Sequence, residues 1–391
     1  MDFAYSAAEE AFRARARAWL AANAVTEPRP TEPEAAAAYD RAWQRTLHAG
    51  GFAGLSWPSA YGGAGLTLFE QAIWYEEIAR AGAPGLNSLS IALSHAGPTL
   101  IRHGSEAQKA FHLPRILRGE AIWCQGFSEA GAGSDLAALQ TRGEIDGDHI
   151  VVNGQKMWTS YGHVADYQEL LIRTEPGSTR HRGLTWVICD MRTPGIQVTP
   201  VVNMMGEQHV NMVFYDDVRI PIANVVGGFG QGWGVAMGTL SVERVMSFLA
   251  DQFELIEKID RVVALARSTR LDSGTLAGND PEIMRRLAQA RADALAIRAM
   301  TLVTLSKLRG GAEIGAEGSM LKLYVTTVYK ALSALVLEIL GQDGLVYGDD
   351  RHSNRWTYDF MWAWVLTISG GSNEIQREVI ADRLLELPRA R

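Results

Sequence analysis

The hydrophobic pattern changes period twice along the 391-residue chain, and that change constrains the fold more than any single motif. From the start to about Gly119 apolar residues recur at helical spacing. From about Ala121 to Val226 they alternate or form short runs, and from Gly227 helical spacing returns in longer stretches. Ser6-x-x-Glu9, Thr67-x-x-Glu70 and Ser105-x-x-Gln108 have the form of capping boxes, in which an N-cap hydroxyl and an acceptor three residues on satisfy free backbone donors. Turn clusters at Trp57-Pro58-Ser59, Tyr61-Gly62-Gly63 and Gly82-Ala83-Pro84-Gly85 separate these helices. In the middle, Asp146-Gly147 lies between Leu139–Ile145 and His149–Val152 as a strand–turn–strand signal, and Asn153-Gly154 is expected to turn the chain again into Gln155–Ser160. Short runs at Leu170–Arg173, Leu184–Cys189, Ile196–Val202 and Val210–Tyr215 follow, and Gly177–Gly183 reads as a mobile loop. Later, Trp233–Arg267 contains no proline, Pro281 opens another helix, and Gly310-Gly311 and Gly341–Gly344 are breaks. The pattern predicts an α+β protein: an N-terminal α-helical domain (1–119), a middle antiparallel β-barrel or sandwich domain (120–228) and a C-terminal α-helical bundle (229–391) that also packs against other subunits.

Composition excludes several functions. A net charge of −7 and the lack of a basic block argue against nucleic acid as the main partner. No apolar run approaches the roughly 20 residues that cross a bilayer, since the longest, around Ala331–Leu340, is broken by Ser333 and Glu338. The start carries no signal-peptide pattern, and Cys124 and Cys189 alone make neither a disulfide framework nor a zinc site. The nine histidines show no ligand spacing, so no metal site is expected. A soluble, cytoplasmic protein without membrane insertion is the expectation.

Four segments could carry chemistry. Trp123–Asp135 sets a strand end against a glycine-rich turn with hydroxyls at Ser128 and Ser134, which leaves room for a flat or anionic ligand; a plain strand connection fits it equally well. Gln155–Ser160 ends a strand with Trp158, Thr159 and Ser160, a face for a conjugated ring or simply core. Ser369–Arg377 is a glycine turn into a helix with Ser372 as N-cap, able to bind an anion or merely to start a packed helix. Val242-Glu243-Arg244 sits in a long apolar helix, where a Glu-Arg pair is most often a structural ion pair. Leu240 and Met246 flank Glu243 on its own face, however, and burial would raise its pKa toward that of a usable base.

Taken together and in this order, Phe127–Asp135, Asn153–Ser160, Glu243-Arg244 and Gly370–Arg377 resemble the acyl-CoA dehydrogenase family, over almost the whole chain. The resemblance implies an FAD-dependent oxidoreductase of fatty acid and lipid β-oxidation, with the α–β–α architecture and a tetrameric assembly. It implies that Gln125, Phe127 and Ser128 lie along the flavin, that Ser134 lies near the pantetheine and the flavin edge, and that Trp158, Thr159 and Ser160 flank the ring. Arg267, Glu338 and Gly341 stand where the family reaches a neighbouring subunit's cofactor, although Arg270-Leu271 and Glu338 depart from the usual residues there; Ser372 and Glu374 complete the cofactor set.

Most members carry a catalytic glutamate at the position of Gly370; a minority place it on the long helix just before an arginine, and Glu243-Arg244 matches that arrangement. The resemblance therefore implies Glu243 as the α-proton base, Ser134, Arg244 and Gly370 at the substrate, hydride transfer from the β-carbon to flavin N5, and a trans-2-enoyl-CoA product. An electron-transfer flavoprotein is the implied acceptor, and the assembly is a homotetramer or a heterotetramer with a related chain. The pattern looks most like actinobacterial members, some of which oxidise branched or steroid side-chain thioesters. Trp356–Trp364 is either acyl-pocket lining or core. A flavin monooxygenase on the same fold, a partner subunit of a heteromeric dehydrogenase and a cofactor-free scaffold remain alternatives; Glu243 has no evident task in the monooxygenase.

Overall fold

A computed structural model describes residues 4–312, 315–348 and 354–388, and the side chains of 240–248 lie outside the described set. In chain order the helices are α1 (Ala7–Asn23), α2 (Pro33–Ala49), α3 (Leu68–Ala81), α4 (Gly97–His103), α5 (Glu106–Leu117), α6 (Gly232–Ser268), α7 (Pro281–Arg309), α8 (Glu317–Leu340), α9 (Arg355–Ile368) and α10 (Asn373–Arg383). The strands between α5 and α6 are β1 (Trp123–Gly126), β2 (Arg142–Asp146), β3 (His149–Ser160), β4 (Tyr167–Arg173), β5 (Leu184–Asp190), β6 (Ile196–Val201), β7 (Val210–Pro221) and β8 (Val225–Val226). All three capping boxes form, each with both reciprocal hydrogen bonds, and they start α1, α3 and α5.

The chain divides into two compact units. One joins 1–24, 67–83 and 244–391. Its core is α8, whose Val325, Leu332, Leu335, Val336 and Ile339 pack among residues of α6, α7 and α9. Each such aliphatic side chain contributes about 1.5–3 kcal/mol on burial. This helix corrects the expectation drawn from Ser333 and Glu338: a window over Glu317–Leu345 has mean hydropathy 1.5, enough by length and composition to cross a membrane. Half of that window is buried within the protein, as in the central helix of a bundle. In the same unit Glu76 and Glu77 of α3 sit among arginines. Glu76 accepts from Arg13 (2.7 Å) and Arg298 (2.8 Å), and Glu77 from Arg13 (2.9 Å), Arg17 (2.8 Å) and Arg80 (3.1 Å).

The other unit joins 25–66 and 84–243 and carries the sheet, ordered β6-β7-β3-β2-β4-β5-β8, with β1 paired to β4. The sheet is not purely antiparallel: β1 runs parallel to β4 throughout, because the chain passes through β2 and β3 before returning as β4. Asn153-Gly154 does not reverse the chain. β3 continues through it as a bulge, with the register against β7 shifting between Val152 and Gly154. Glycine is required there, since φ is +150° and a Cβ would lie 2.7 Å from Thr141 Cα. Asn153 instead bonds across to Asp217, Nδ2 donating to Oδ1 at 2.9 Å and Oδ1 accepting the Asp217 N–H at 3.0 Å.

The loop expected to be mobile, Gly177–Gly183, is tied down. Arg173 donates to the carbonyls of Arg182 (2.8 Å), Arg180 (3.1 Å) and Ala137 (2.9 Å) and to Ser178 Oγ (3.2 Å). A half-buried guanidinium with its fork satisfied by backbone oxygens holds both segments in place.

Candidate active site

β1 ends at the glycine-rich segment, and a buried ion pair fixes that segment to β3. Lys156 occupies an inward position of β3 and is 0% exposed, with Nζ donating to Phe127 O at 2.9 Å and Glu129 Oε1 at 2.9 Å. The Glu129 carboxylate also accepts the N–H groups of Gln140 (2.6 Å) and Thr141 (2.9 Å), and the Met157 N–H donates to Ser128 O at 2.9 Å. Burial pushes the Lys156 ammonium down to about 8 against the pull of Glu129. Replacing Lys156 with Met leaves the Phe127 carbonyl and the carboxylate without their buried donor. We expect K156M to lose about 3–5 kcal/mol of stability, measured by urea unfolding of the FAD-loaded protein; an unchanged midpoint counts against this role.

Beyond Lys156 a second bulge, between Lys156 and Thr159, pushes Trp158 outward with φ +62° and 54% exposure. A bulky residue in the left-handed region is strained, and the alternation is broken so that the indole faces out of the sheet. Ser160 is half-buried, whereas Thr159 is fully buried, so the interior takes Thr159 and the surface takes the other two. Phe127 is also buried, while Ser128 is half-buried and Ser134 exposed on a turn where a Cβ at Gly131 or Gly133 would meet nothing within 4 Å. Gln125 is half-buried and hydrogen-bonds Glu169 at 2.7 Å.

In the other unit, Ser372 caps α10 by accepting the Ile375 N–H at 3.4 Å, after Gly370 (φ +63°) and Gly371 (φ +88°) turn the chain in the left-handed region. Gln376 Nε2 donates to both glycine carbonyls at 3.0 Å. Lys322 of α8, buried, donates to Asn373 Oδ1 at 2.9 Å, so the turn is braced from below. Glu374 stands exposed in the first turn, its carboxyl held below the usual range by its own backbone N–H at the helix start. Arg267 is exposed at the end of α6 and Gly341 (φ +54°) ends α8. Glu338 is engaged by Arg286 through two contacts of 2.5 and 3.0 Å. The backbone of α6 carries positions 243 and 244, but the side chains of Glu243 and Arg244 lie outside the described residues.

Motif reading misses Lys156, Glu129, Gln376 and Lys322. The first three lie inside the motifs and Lys322 lies on α8, far from them in sequence; the one available signal is a lysine at an inward strand position. The residues present fit a flavin dinucleotide. Within the sheet-bearing unit, an outward indole suits a planar conjugated ring and a glycine turn with open space suits close backbone approach; within the helical unit, taken by itself, a capped helix start after two left-handed glycines suits an anionic group.

Models of the N-terminal, middle and C-terminal domains of acyl-CoA dehydrogenase match residues 6–120, 124–218 and 230–385. The chain belongs to the acyl-CoA dehydrogenase family, whose members are FAD-dependent oxidoreductases. It is 40% identical over 389 residues to acyl-CoA dehydrogenase IpdE1 of Mycobacterium tuberculosis, covering 97% of this chain and 98% of that protein. It is 37% identical over 352 residues to acyl-CoA dehydrogenase FadE29 of the same organism, covering 89% of each. Among solved structures it is similar to the ChsE4–ChsE5 complex of Mycobacterium tuberculosis (TM-score 0.85, 32% identity) and to the Tcur3481–Tcur3483 steroid ACAD (TM-score 0.86, 30% identity), each covering 100% of both chains.

Proposed function

We propose that this chain oxidises a steroid-derived acyl-CoA thioester between Cα and Cβ to the trans-2-enoyl-CoA, with Glu243 as the base. The observation that carries this reading is the C-terminal turn: position 370 holds a glycine at φ +63° and no carboxylate, while the long helix supplies Glu243. An α-proton of a thioester is a weak acid, so the base works only where the developing enolate is stabilised by placed donors. Gly370 offers a backbone N–H for the thioester carbonyl, Glu243 takes the α-proton, and Arg244 and Ser134 bind the remainder of the substrate. Phe127, Ser128, Trp158 and Ser160 orient the cofactor from the β side, with Thr159 supporting the strand from inside. Ser372 and Glu374 hold the cofactor from the helix start. Arg267, Glu338 and Gly341 serve its adenosine half across a subunit boundary. FAD, when bound, supplies the two-electron acceptor for the β-hydrogen, and an electron-transfer flavoprotein reoxidises it. Of the three domains, 1–119, 120–228 and 229–391, these roles fall in the second and the third.

The steroid class is supported by the Tcur3481–Tcur3483 protein being described as a steroid ACAD. The test is an anaerobic visible titration of the purified flavoprotein with short, branched, long and steroid side-chain acyl-CoAs. Bleaching by the steroid class is expected, and bleaching only by straight-chain thioesters overturns the substrate assignment. Yellow protein that no thioester bleaches, but that dithionite reduces and oxygen then reoxidises rapidly, favours the monooxygenase.

A second reading, one subunit of a heteromeric dehydrogenase, is favoured over a homotetramer by one contact. Arg286 engages the Glu338 carboxylate that the resemblance assigns to the cofactor. On this reading the chain purified alone is colourless, and native mass with FAD content restored by a second, related chain identifies the heteromer.

A further inference from the structure

Three lysines are buried among the described residues, and two of them have a counter-ion. Lys156 Nζ meets Glu129 Oε1 at 2.9 Å, and Lys258 Nζ meets Asp359 Oδ2 at 2.8 Å. Lys322 on α8 is 1% exposed and bonds no carboxylate among the described residues. It donates instead to Asn373 Oδ1 at 2.9 Å, an oxygen that also accepts from Thr326 Oγ1 at 3.1 Å. A buried cation answered by a neutral amide is costly, because no opposite charge offsets its desolvation.

Its place in the fold adds to that cost. Asn373 is the first residue of α10, directly after the N-cap Ser372. Covalent geometry then keeps the ammonium within about 8 Å of the Asn373 N–H, at the positive end of the helix dipole, where a second positive charge is repelled. The charges on neighbouring helices leave it unbalanced. Glu374 attracts it from the surface of α10, but that side chain is 78% exposed and faces Arg377 at 3.5 Å. On α7, Asp293 is held by Tyr324 Oη at 2.8 Å, and on α9, Asp359 is shared by Lys258 and Arg355. Lys330, two turns along α8, lies over the Trp364 ring at 3.4 Å. Burial pushes the Lys322 ammonium down to about 8, with Glu374 pulling the other way. At neutral pH the turn therefore carries a buried positive charge and a helix start that both favour an anion.

We propose that Lys322 is a positioning residue for the cofactor: its buried charge, acting through the start of α10, draws the diphosphate of FAD onto the Gly370–Ser372 turn and holds it there. This rests on the reading that Ser372 and Glu374 hold FAD. The charge that costs stability in the turn by itself strengthens the binding of a diphosphate, because the two attract in a poorly solvated place. The diphosphate of a CoA thioester has the same chemistry, and the experiment separates the two. A bound diphosphate raises the Lys322 pKa, so FAD binding is strongest below about pH 8 and weakens as pH rises through the bound-state value.

FAD dissociation constants are read from the flavin fluorescence recovered on diluting the holoenzyme, from pH 7 to pH 10, for the unaltered protein, K322M, K322R and S372A. K322M is expected to bind FAD roughly tenfold or more weakly at pH 7, its ratio to the unaltered protein falling towards one by pH 10. K322R is expected to keep its affinity across the range, since a guanidinium stays charged. Lys156 also titrates near pH 8, but it is common to all four proteins and cancels in the ratio. A purely bracing role predicts otherwise: a neutral amine still donates to Asn373, so the loss in K322M is then the same at every pH. A constant loss, or none, while S372A weakens FAD binding overturns this inference alone. A pH-dependent loss in the dissociation constant of the acyl-CoA thioester but not of FAD assigns the diphosphate to the substrate and also overturns it. If K322M does not fold, a fall in affinity above pH 8 that K322R abolishes supports the proposal, and parallel profiles overturn it. FAD binding unchanged at every pH in both S372A and K322M removes the reading that this turn holds the cofactor, and this inference with it.

Discussion

Glu243→Gln is expected to lower substrate-driven flavin reduction by roughly 10²–10⁴-fold or more while leaving FAD bound. The amide keeps the size of the side chain and removes the basic oxygen, so the loss falls on proton abstraction and not on assembly. Stopped-flow reduction with the preferred thioester reads the rate, and the visible spectrum of the resting protein reads the cofactor. Retained rapid reduction reassigns the base. The competing position cannot easily take over: residue 370 has φ +63°, where a side chain costs about 1–2 kcal/mol in backbone strain. Adding Gly370→Glu to the Glu243→Gln variant is therefore expected to restore at most part of the rate.

The second large effect concerns stability. Glu77→Gln is expected to cost about 3–5 kcal/mol, because Arg13 and Arg17 lose the carboxylate they share on the buried side of α3. Burial alone would raise the Glu77 pKa, but Arg17 and Arg13 outweigh it and hold the carboxyl below the usual carboxylate range. The sign follows from that lowering. The folded state binds the proton less readily than the unfolded chain, so the stabilisation is fully present above the unfolded pKa of about 4.3 and is lost as pH falls through the lower folded value. Urea unfolding at pH 7 and at pH 4 should show the difference between the two proteins shrinking as the acid limit is approached. Equal midpoints at pH 7 would remove the network from the account of stability.

Local chemistry is legible wherever the physical rule is local. Ser6, Thr67 and Ser105 announce three helix starts because a capping box involves residues only three apart. The shift from period 3.6 to period 2 locates the sheet for the same reason. The Asn153-Gly154 pair reads as a turn because the same dipeptide that permits a reversal also permits a bulge. What chooses between them is β7, which pairs along both halves of β3 and ties Asn153 to Asp217. Gly177–Gly183 reads as mobile because its restraint, Arg173, belongs to the preceding strand and bonds backbone oxygens that no composition rule reveals.

The sequence by itself determined the order of helical and β regions, the family, the cofactor and the motif residues, since periodicity, caps and motif spacing are properties of neighbours along the chain. Tertiary structure alone decided that Lys156 rather than any motif hydroxyl locks the glycine-rich turn, that Thr159 turns inward while Trp158 is thrust out, that Glu338 meets Arg286, and that Gln125 hydrogen-bonds Glu169 beside His95. Each of these is a contact between residues 27 to 52 positions apart, or a bulge imposed by a partner strand. Which polar groups meet there is set by packing and register, because a buried donor or acceptor must find a partner and only the folded chain brings that partner within reach.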